Sequence, residues 1–433
     1  MAKKFIALLG TTDYLPANYV LNGTKVENVR FVEEAIAQLL CEAWGKDDEI
    51  IVALTPDARK KNWEDDGHKS RDGRALTREG LKRRLNNFNF SAQIKAVDIE
   101  TGNNEDEIWS IFEALYKNID EGDSVIFDIT HGFRSLPMLA MVILNYARVL
   151  KNITIEGIYY GAFEVLGQAY EVKEMELKNR NAPIFDLTSF MTLFEWTSAI
   201  NSFMKYGIAE DIGSLTNAQI KHILKKLKEG GKSPAPAENI RDISKKINQI
   251  SQYLQTCRGP KIKGFNFDKL QKNIANAKGD VIKPLTPLFD KIVEKISSFK
   301  QDSFNTDAAA EWCSRHNMIQ QGFTFLQETK ISEILQRVDS EDTLLNRKLV
   351  FQAVIIKQRD IPQCNWRRPA SEKRPFVQSV IDNMTQEECH MIYEVSKYRN
   401  DLNHCGFAPE EERSFSDFRQ YLNQYIDEAE NNE

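Results

Sequence analysis

The chain has 433 residues, 42% hydrophobic and 28% charged, with a formal net charge of −6. That length supports two or three domains of about 150 residues and a sizeable core, which excludes global disorder. The acidic balance excludes coating of nucleic acid by bulk charge and leaves room only for a local basic cleft.

The six cysteines (41, 257, 313, 364, 389, 405) form no CxxC pair. No disulfide framework, zinc site or other metal centre is expected, and a reducing cytoplasm is the natural compartment. The most apolar run, Leu136 to Leu144, falls far short of the roughly 20 residues of a membrane span. MAKKFIALLG lacks a long apolar segment with a cleavage site, so neither a signal peptide nor a membrane partner is expected.

Taken in chain order, Phe5–Leu9, Glu49–Leu54, Gln93–Ile99, Ser124–Ile129 and Ile153–Tyr160 read as strands. Helical patterns over Val26–Trp44, Leu76–Phe88, Glu105–Ile119 and Phe133–Leu150 separate them. Continuous apolar strands joined by crossover helices predict a doubly wound, Rossmann-like α/β sheet. Ala162–Val172 reads as a hairpin on its edge. After Ala182-Pro183 the strand signal ends and helical periodicity takes over, with loops at Gly230–Glu238 and Cys257–Gly264. The expected organisation is an α/β domain over 1–182 and an all-α domain over 183–433, with about 210–300 as a helical insertion or part of that domain's core.

Ligands in open α/β sheets sit beyond the C-terminal ends of the strands. The first strand runs into Gly10-Thr11-Thr12-Asp13-Tyr14, the second into Thr55-Pro56-Asp57. The fourth ends in Asp128-Ile129-Thr130-His131-Gly132-Phe133-Arg134-Ser135. Gly132 allows close backbone approach, and the helix start with Thr130, Arg134 and Ser135 suits a phosphate. Ordinary helix capping is the competing reading of these hydroxyls. No GxGxxG follows the first strand and no GxxxxGK[ST] exists, which disfavours a dehydrogenase or a P-loop NTPase. His131 has no second ligand at metal spacing.

Near the C-terminus, Thr385 and Glu388 form a capping box and Gly406 a helix stop. Met391, Ile392, Val395, Tyr398 and Leu402 share one face, and Arg399 falls inside that stripe. Asn400 and His404 lie on a neighbouring face, with His404 about 140° around the helix from Arg399. Such an Arg and His suit metal-free RNA cleavage: His404 as acid or base, Arg399 against the charge on the phosphate, and the RNA 2′-hydroxyl as nucleophile. The alternative is an Arg held by Asp401 or Glu394, with His404 as a partner of the helix dipole.

Together GTTDY, DITHGFRS and RNDLNH resemble the CARF–HEPN ancillary ribonucleases of type III CRISPR systems, of Csx/Csm type, across essentially the whole chain. Trp312–Glu328 also looks like a helix of that HEPN group. The resemblance implies a homodimer whose CARF domains bind a cyclic oligoadenylate (tetra- or hexa-adenylate), with Gly10, Thr11, Thr12, Asp13, Thr55, Thr130, His131, Gly132, Phe133, Arg134 and Ser135 as ligand-lining positions. Binding would activate a composite HEPN site of Arg399, Asn400 and His404 that cleaves single-stranded RNA without a metal or other cofactor, leaving 2′,3′-cyclic phosphates. A stable complex with the CRISPR effector is not expected. Some such CARF domains also degrade their activator, with Thr11, Thr12 and His131 the candidates here. A nucleotide-sensing regulator that binds a partner or nucleic acid without cleaving is the competing class. Ile220–Lys228 is the best basic stretch for a nucleic-acid reader, but it reads better as a solvated helix.

Overall fold

The computed structural model describes residues 2–70, 72–131, 136–217, 235–277, 286–300, 305–407 and 413–431. They form two compact units, Met1–Thr192 and Leu193–Glu433.

The first unit is built on an eight-stranded sheet. Its strands are β1 (Lys3–Leu8), β2 (Ala17–Leu21), β3 (Thr24–Val29), β4 (Glu49–Leu54), β7 (Gln93–Asp98), β8 (Ser124–Asp128), β9 (Thr154–Gly161) and β10 (Asn181–Asp186). A separate two-stranded ribbon pairs β5 (His68–Lys69) with β6 (Ala75–Leu76). The sheet order is β3-β2-β10-β9-β8-β1-β4-β7, with β9, β8, β1, β4 and β7 all parallel. β1 and β4 are apolar on both faces because both faces are covered. Phe5 and Ala7 join the core beneath helix Val32–Cys41, while Ile6 and Leu8 join the core beneath helices Glu105–Lys117 and Leu136–Lys151.

Four expectations are corrected here. The helix read from Val26 begins at Val32, because residues 17–29 form the β2–β3 hairpin. Its Asn22-Gly23 tip takes positive φ at both residues, 50° and 85°, the geometry that an Asn-Gly turn supplies most readily. Ala162–Val172 is not a hairpin but a 3₁₀ turn, Phe163–Leu166, followed by helix Ala169–Glu174. Gln168 and Glu171 cap that helix reciprocally, which favours helix over strand. The boundary at 182/183 falls inside β10, whose pairing with β9 and β2 keeps residues up to Thr192 in the first unit. Leu76–Phe88 also shortens to helix Leu81–Asn86, N-capped by Gly80.

The described residues of the second unit hold helices and no strand. Helix Ile319–Arg337 lies at its core, with Phe323, Leu326, Ile334 and Leu335 buried. Helix Gln386–Asn403 packs on it through Phe323 stacked on Tyr398, 5.3 Å between ring centroids. Two loops read from the sequence are partly helical. Helix Ala235–Gln255 starts within 230–238, and Gly259–Lys263 is a short helix with Pro260 in its first turn, where a missing N–H costs nothing. Ile220–Lys228 lies outside the described residues.

Candidate functional site

In the first unit a cavity of about 260 Å³ opens beyond the ends of β1, β4, β7 and β8. This is where the chain order turns to both sides of β1, the usual ligand position in such sheets. The register sets Ala7 between Val52 and Asp128, so the turns after β1 and β8 meet at one level. Gly10, Thr11, Thr12, Thr55, Thr130 and His131 all line the cavity, joined by Tyr14. Thr55 also caps the turn that follows it, accepting from Ala58 N at 3.2 Å. Gly132, Phe133, Arg134 and Ser135 lie outside the described residues.

Asp13 is a correction. It does not line the cavity, because Arg30 (2.9 Å) and Arg78 (3.1 Å) hold its carboxylate. Burial pushes its pKa up, but the two guanidiniums and His68 outweigh that and leave it below the usual carboxylate range. Asn62 completes the clamp. Its Nδ2 donates to the carbonyls of Gly10 and Thr12, both at 2.9 Å. Its Oδ1 receives His68 Nε2 at 2.9 Å and Arg30 Nη2 at 3.3 Å. Gly10 must lack a Cβ, which would collide with the Tyr14 hydroxyl and press on His131. The Tyr14 ring in turn lies on the His131 ring, 4.4 Å between centroids.

Beneath the cavity, Asp128 Oδ1 accepts the backbone N–H of Thr130 at 2.9 Å and also its hydroxyl. Thr130 Oγ1 accepts from Gly161 N at 2.8 Å. Glu33 is fully buried beside them, and both its carboxyl oxygens and Asp128 Oδ2 lack a hydrogen-bond partner among the described residues. Burial raises the pKa of both acids, and repulsion from Asp128 and Glu34 raises that of Glu33 further. Burial lowers His131 to about 4. His131 Nε2 stands 3.9 Å from Glu33 Oε2, an acidic neighbour that sequence spacing did not offer. With the imidazole neutral at pH 7, this contact is not an ion pair.

In the second unit Arg399 sits half-buried on helix Gln386–Asn403. The Thr385–Glu388 capping box starts this helix. At its end Gly406, at φ 74°, donates its N–H to the Asp401 carbonyl at 3.1 Å. Arg399 Nη1 donates to Gln327 Oε1 at 3.0 Å and lies 3.1 Å from Glu328 Oε1. Its Nε is buried without a partner among the described residues. Asp401 and Glu394, the partners considered from sequence, instead hold Arg413 at 2.9 Å and Lys397 at 2.8 Å. Asn400 and His404 are exposed, with His404 as the C-cap residue. Gln320 Nε2 donates to Asn403 Oδ1 at 2.8 Å, and Arg337 holds Glu388 at 2.8 Å. Two antiparallel helices are thus zipped by polar contacts along their length. Sequence spacing does not connect Gln320, Gln327 and Glu328 to helix Gln386–Asn403, although they fall within Trp312–Glu328.

Comparison with known proteins fits this architecture. Residues 4–164 match the family model described as the CARF domain of CRISPR system endoribonuclease Csx1. Residues 192–303 match the second domain of CRISPR-associated protein MJ1674, a stretch that contains the 210–300 helices. CRISPR-associated protein MJ1674 of Methanocaldococcus jannaschii is 24% identical over 360 residues, covering 79% of this chain and 52% of that protein. This chain therefore spans about half the length of that relative. The matches support a CRISPR-associated protein that carries a CARF domain. No helix among the described residues is long and apolar enough to cross a membrane.

Proposed function

We propose that this chain is a cyclic-oligoadenylate-activated, metal-independent endoribonuclease of CRISPR defence, with a CARF sensor in the first unit and a HEPN ribonuclease in the second. The observation that carries this reading is the cavity at the sheet's switch point. Gly10, Thr11, Thr12, Thr130 and His131 converge there, inside the stretch that matches a CARF domain.

Hydroxyls and the two turns offer donors to a phosphodiester. Burial favours the neutral forms of Glu33 and Asp128, which lessens their repulsion of an anionic ligand. The helix after β8 exposes Met138 (72%), Val142, Tyr146 and Val149 (71%), an apolar stripe suited to a second copy of this chain. A ligand spanning two such cavities would be shared across a two-fold axis.

In the second unit the RNA 2′-oxygen attacks the adjacent phosphorus and the bond to the 5′-oxygen breaks, leaving a 2′,3′-cyclic phosphate and a 5′-hydroxyl. His404 carries the proton, Arg399 meets the charge on the phosphate, and Asn400 orients the strand. The nucleophile belongs to the substrate, so the step needs no metal-bound water. Activator degradation at Thr11, Thr12 and His131 is a second activity proposed for the same cavity. One observation favours the competing class of a non-catalytic regulator: Gln327 and Glu328 already hold Arg399, as a structural arginine would be held.

Calorimetric titration of the full chain with cyclic tri-, tetra- and hexa-adenylate tests the sensor. One ring per two chains is expected for one ring size, with loss of binding in Thr130→Ala/His131→Ala. Absence of binding by every ring refutes the reading.

A further inference from the structure

The second unit holds a larger cavity, about 640 Å³, with Arg399 on its wall. That volume falls in the range of small-molecule sites. Part of the wall is the short helix Gly259–Lys263, from the stretch that matches the second domain of MJ1674. Cys257 of the same stretch also lines it, and the remainder comes from helix Ile319–Arg337, Asp342, Arg347 and Arg399, beyond that stretch. Gln321 Nε2 ties the two parts together at the Gln255 carbonyl, 3.3 Å away.

The wall has two characters. Lys263, Arg347 and Arg399 bring three positive charges, and Glu328 and Asp342 bring two negative ones. Both acids are committed to arginine: Arg347 holds each at 2.6 Å, and Glu328 also meets Arg399 at 3.1 Å. The Arg399 Nε is buried without a partner among the described residues. Pro260 supplies apolar surface beside this charge. A cationic edge next to an apolar floor matches the two halves of a nucleotide, phosphate and base.

We propose that this cavity receives one nucleotide of the RNA strand, next to the phosphate that Arg399 engages, and that the Gly259–Lys263 helix forms its grip. The identity of the strand rests on the ribonuclease reading above; the cavity and its charge do not. The stretch 192–303 thereby gains a role in substrate binding rather than in packing alone.

Gly259 gives a clean perturbation. A Cβ placed there meets nothing within 4 Å, so Gly259→Phe adds bulk to the cavity wall with no clash at its Cβ. Full-chain His404→Ala, with and without Gly259→Phe or Lys263→Ala, is titrated with fluorescent single-stranded RNA of mixed sequence. Thermal melts check that each variant folds. RNA binding is expected to weaken at least tenfold with Gly259→Phe and several-fold with Lys263→Ala. In the cleavage-competent chain, sequencing of the products is expected to show Gly259→Phe changing base preference at one position beside the cut. Wild-type RNA affinity and an unchanged cut pattern in Gly259→Phe overturn the proposal, as does failure of the parent to bind RNA. Gly259-sensitive binding without cleavage under any activator refutes the ribonuclease reading and leaves the cavity assignment standing.

Discussion

Asn62→Ala tests whether the loop after β1 is held from behind, as the structure indicates. The Asn62 side chain is fully buried and makes four hydrogen bonds, two of them to the carbonyls of Gly10 and Thr12. Truncation removes those bonds, each worth about 1 kcal/mol net, and leaves part-buried carbonyls and part of Arg30 unpaired at about 1–3 kcal/mol more. Relaxation of the loop toward water offsets some of this, so a local loss of about 3–4 kcal/mol is expected. At about 1.4 kcal/mol per factor of ten, amides over residues 9–14 should exchange roughly 10²–10³ times faster. Hydrogen-exchange mass spectrometry of the full chain reads this directly, with β4 and β8 peptides as internal controls. Asp13→Asn is the contrast: its ion pairs with Arg30 and Arg78 are partly exposed, and a loss of about 1 kcal/mol or less is expected. Exchange within threefold of wild type in Asn62→Ala would refute the clamp.

Three further outcomes follow from the same geometry. Gly10→Ala forces Tyr14 off His131 and should weaken ligand binding at least tenfold by calorimetry; Gly10→Ala/Tyr14→Phe, which removes the nearest clash, should recover part of it, and an unaffected single variant would contradict the packing. Glu33→Gln should stabilise the chain increasingly with pH. The folded pKa of Glu33 lies above its unfolded value, so its ionisation opposes folding progressively from about pH 4.5 up to that raised value. The gain in melting temperature should therefore be near zero at pH 4 and largest above pH 7, and a pH-independent difference would rule this out. Thr385→Ala removes half of a capping box and should cost about 1 kcal/mol, seen as a lower denaturation midpoint with an unchanged slope.

Much of the fold was legible because its signals are local. The strands now seen as β1, β4, β7 and β8 are unbroken apolar runs, and helix Gln386–Asn403 announces itself by the Thr385–Glu388 box and Gly406. The β2–β3 hairpin was misread although Asn22-Gly23 carried a strong hairpin signal, because the helical pattern from Val32 was extended backwards over it. Residues 162–172 offered β-branched and aromatic side chains, and the Gln168–Glu171 cap overrode them. Of the residues around the cavity beyond the strand ends, those on the strand ends lie in local motifs and those behind them do not. Asn62 sits in a lysine-rich turn and Glu33 in the first turn of a helix, where an acid is ordinary. Only the crossing of the chain over the sheet brings them to Gly10 and His131. The same holds for Gln327 and Glu328, which no spacing rule connects to Arg399 some seventy residues later.

The most direct test of ligand-activated RNA cleavage uses labelled single-stranded RNA and the full chain in chelator-containing buffer, with cyclic tri-, tetra- or hexa-adenylate. Arg399→Ala/His404→Ala and Thr130→Ala/His131→Ala run beside it. The account predicts cleavage with one ring size, products ending in 2′,3′-cyclic phosphate, and loss of cleavage in both double variants. Cleavage that survives Arg399→Ala/His404→Ala, or silence with every ring despite measurable ring binding, would contradict it.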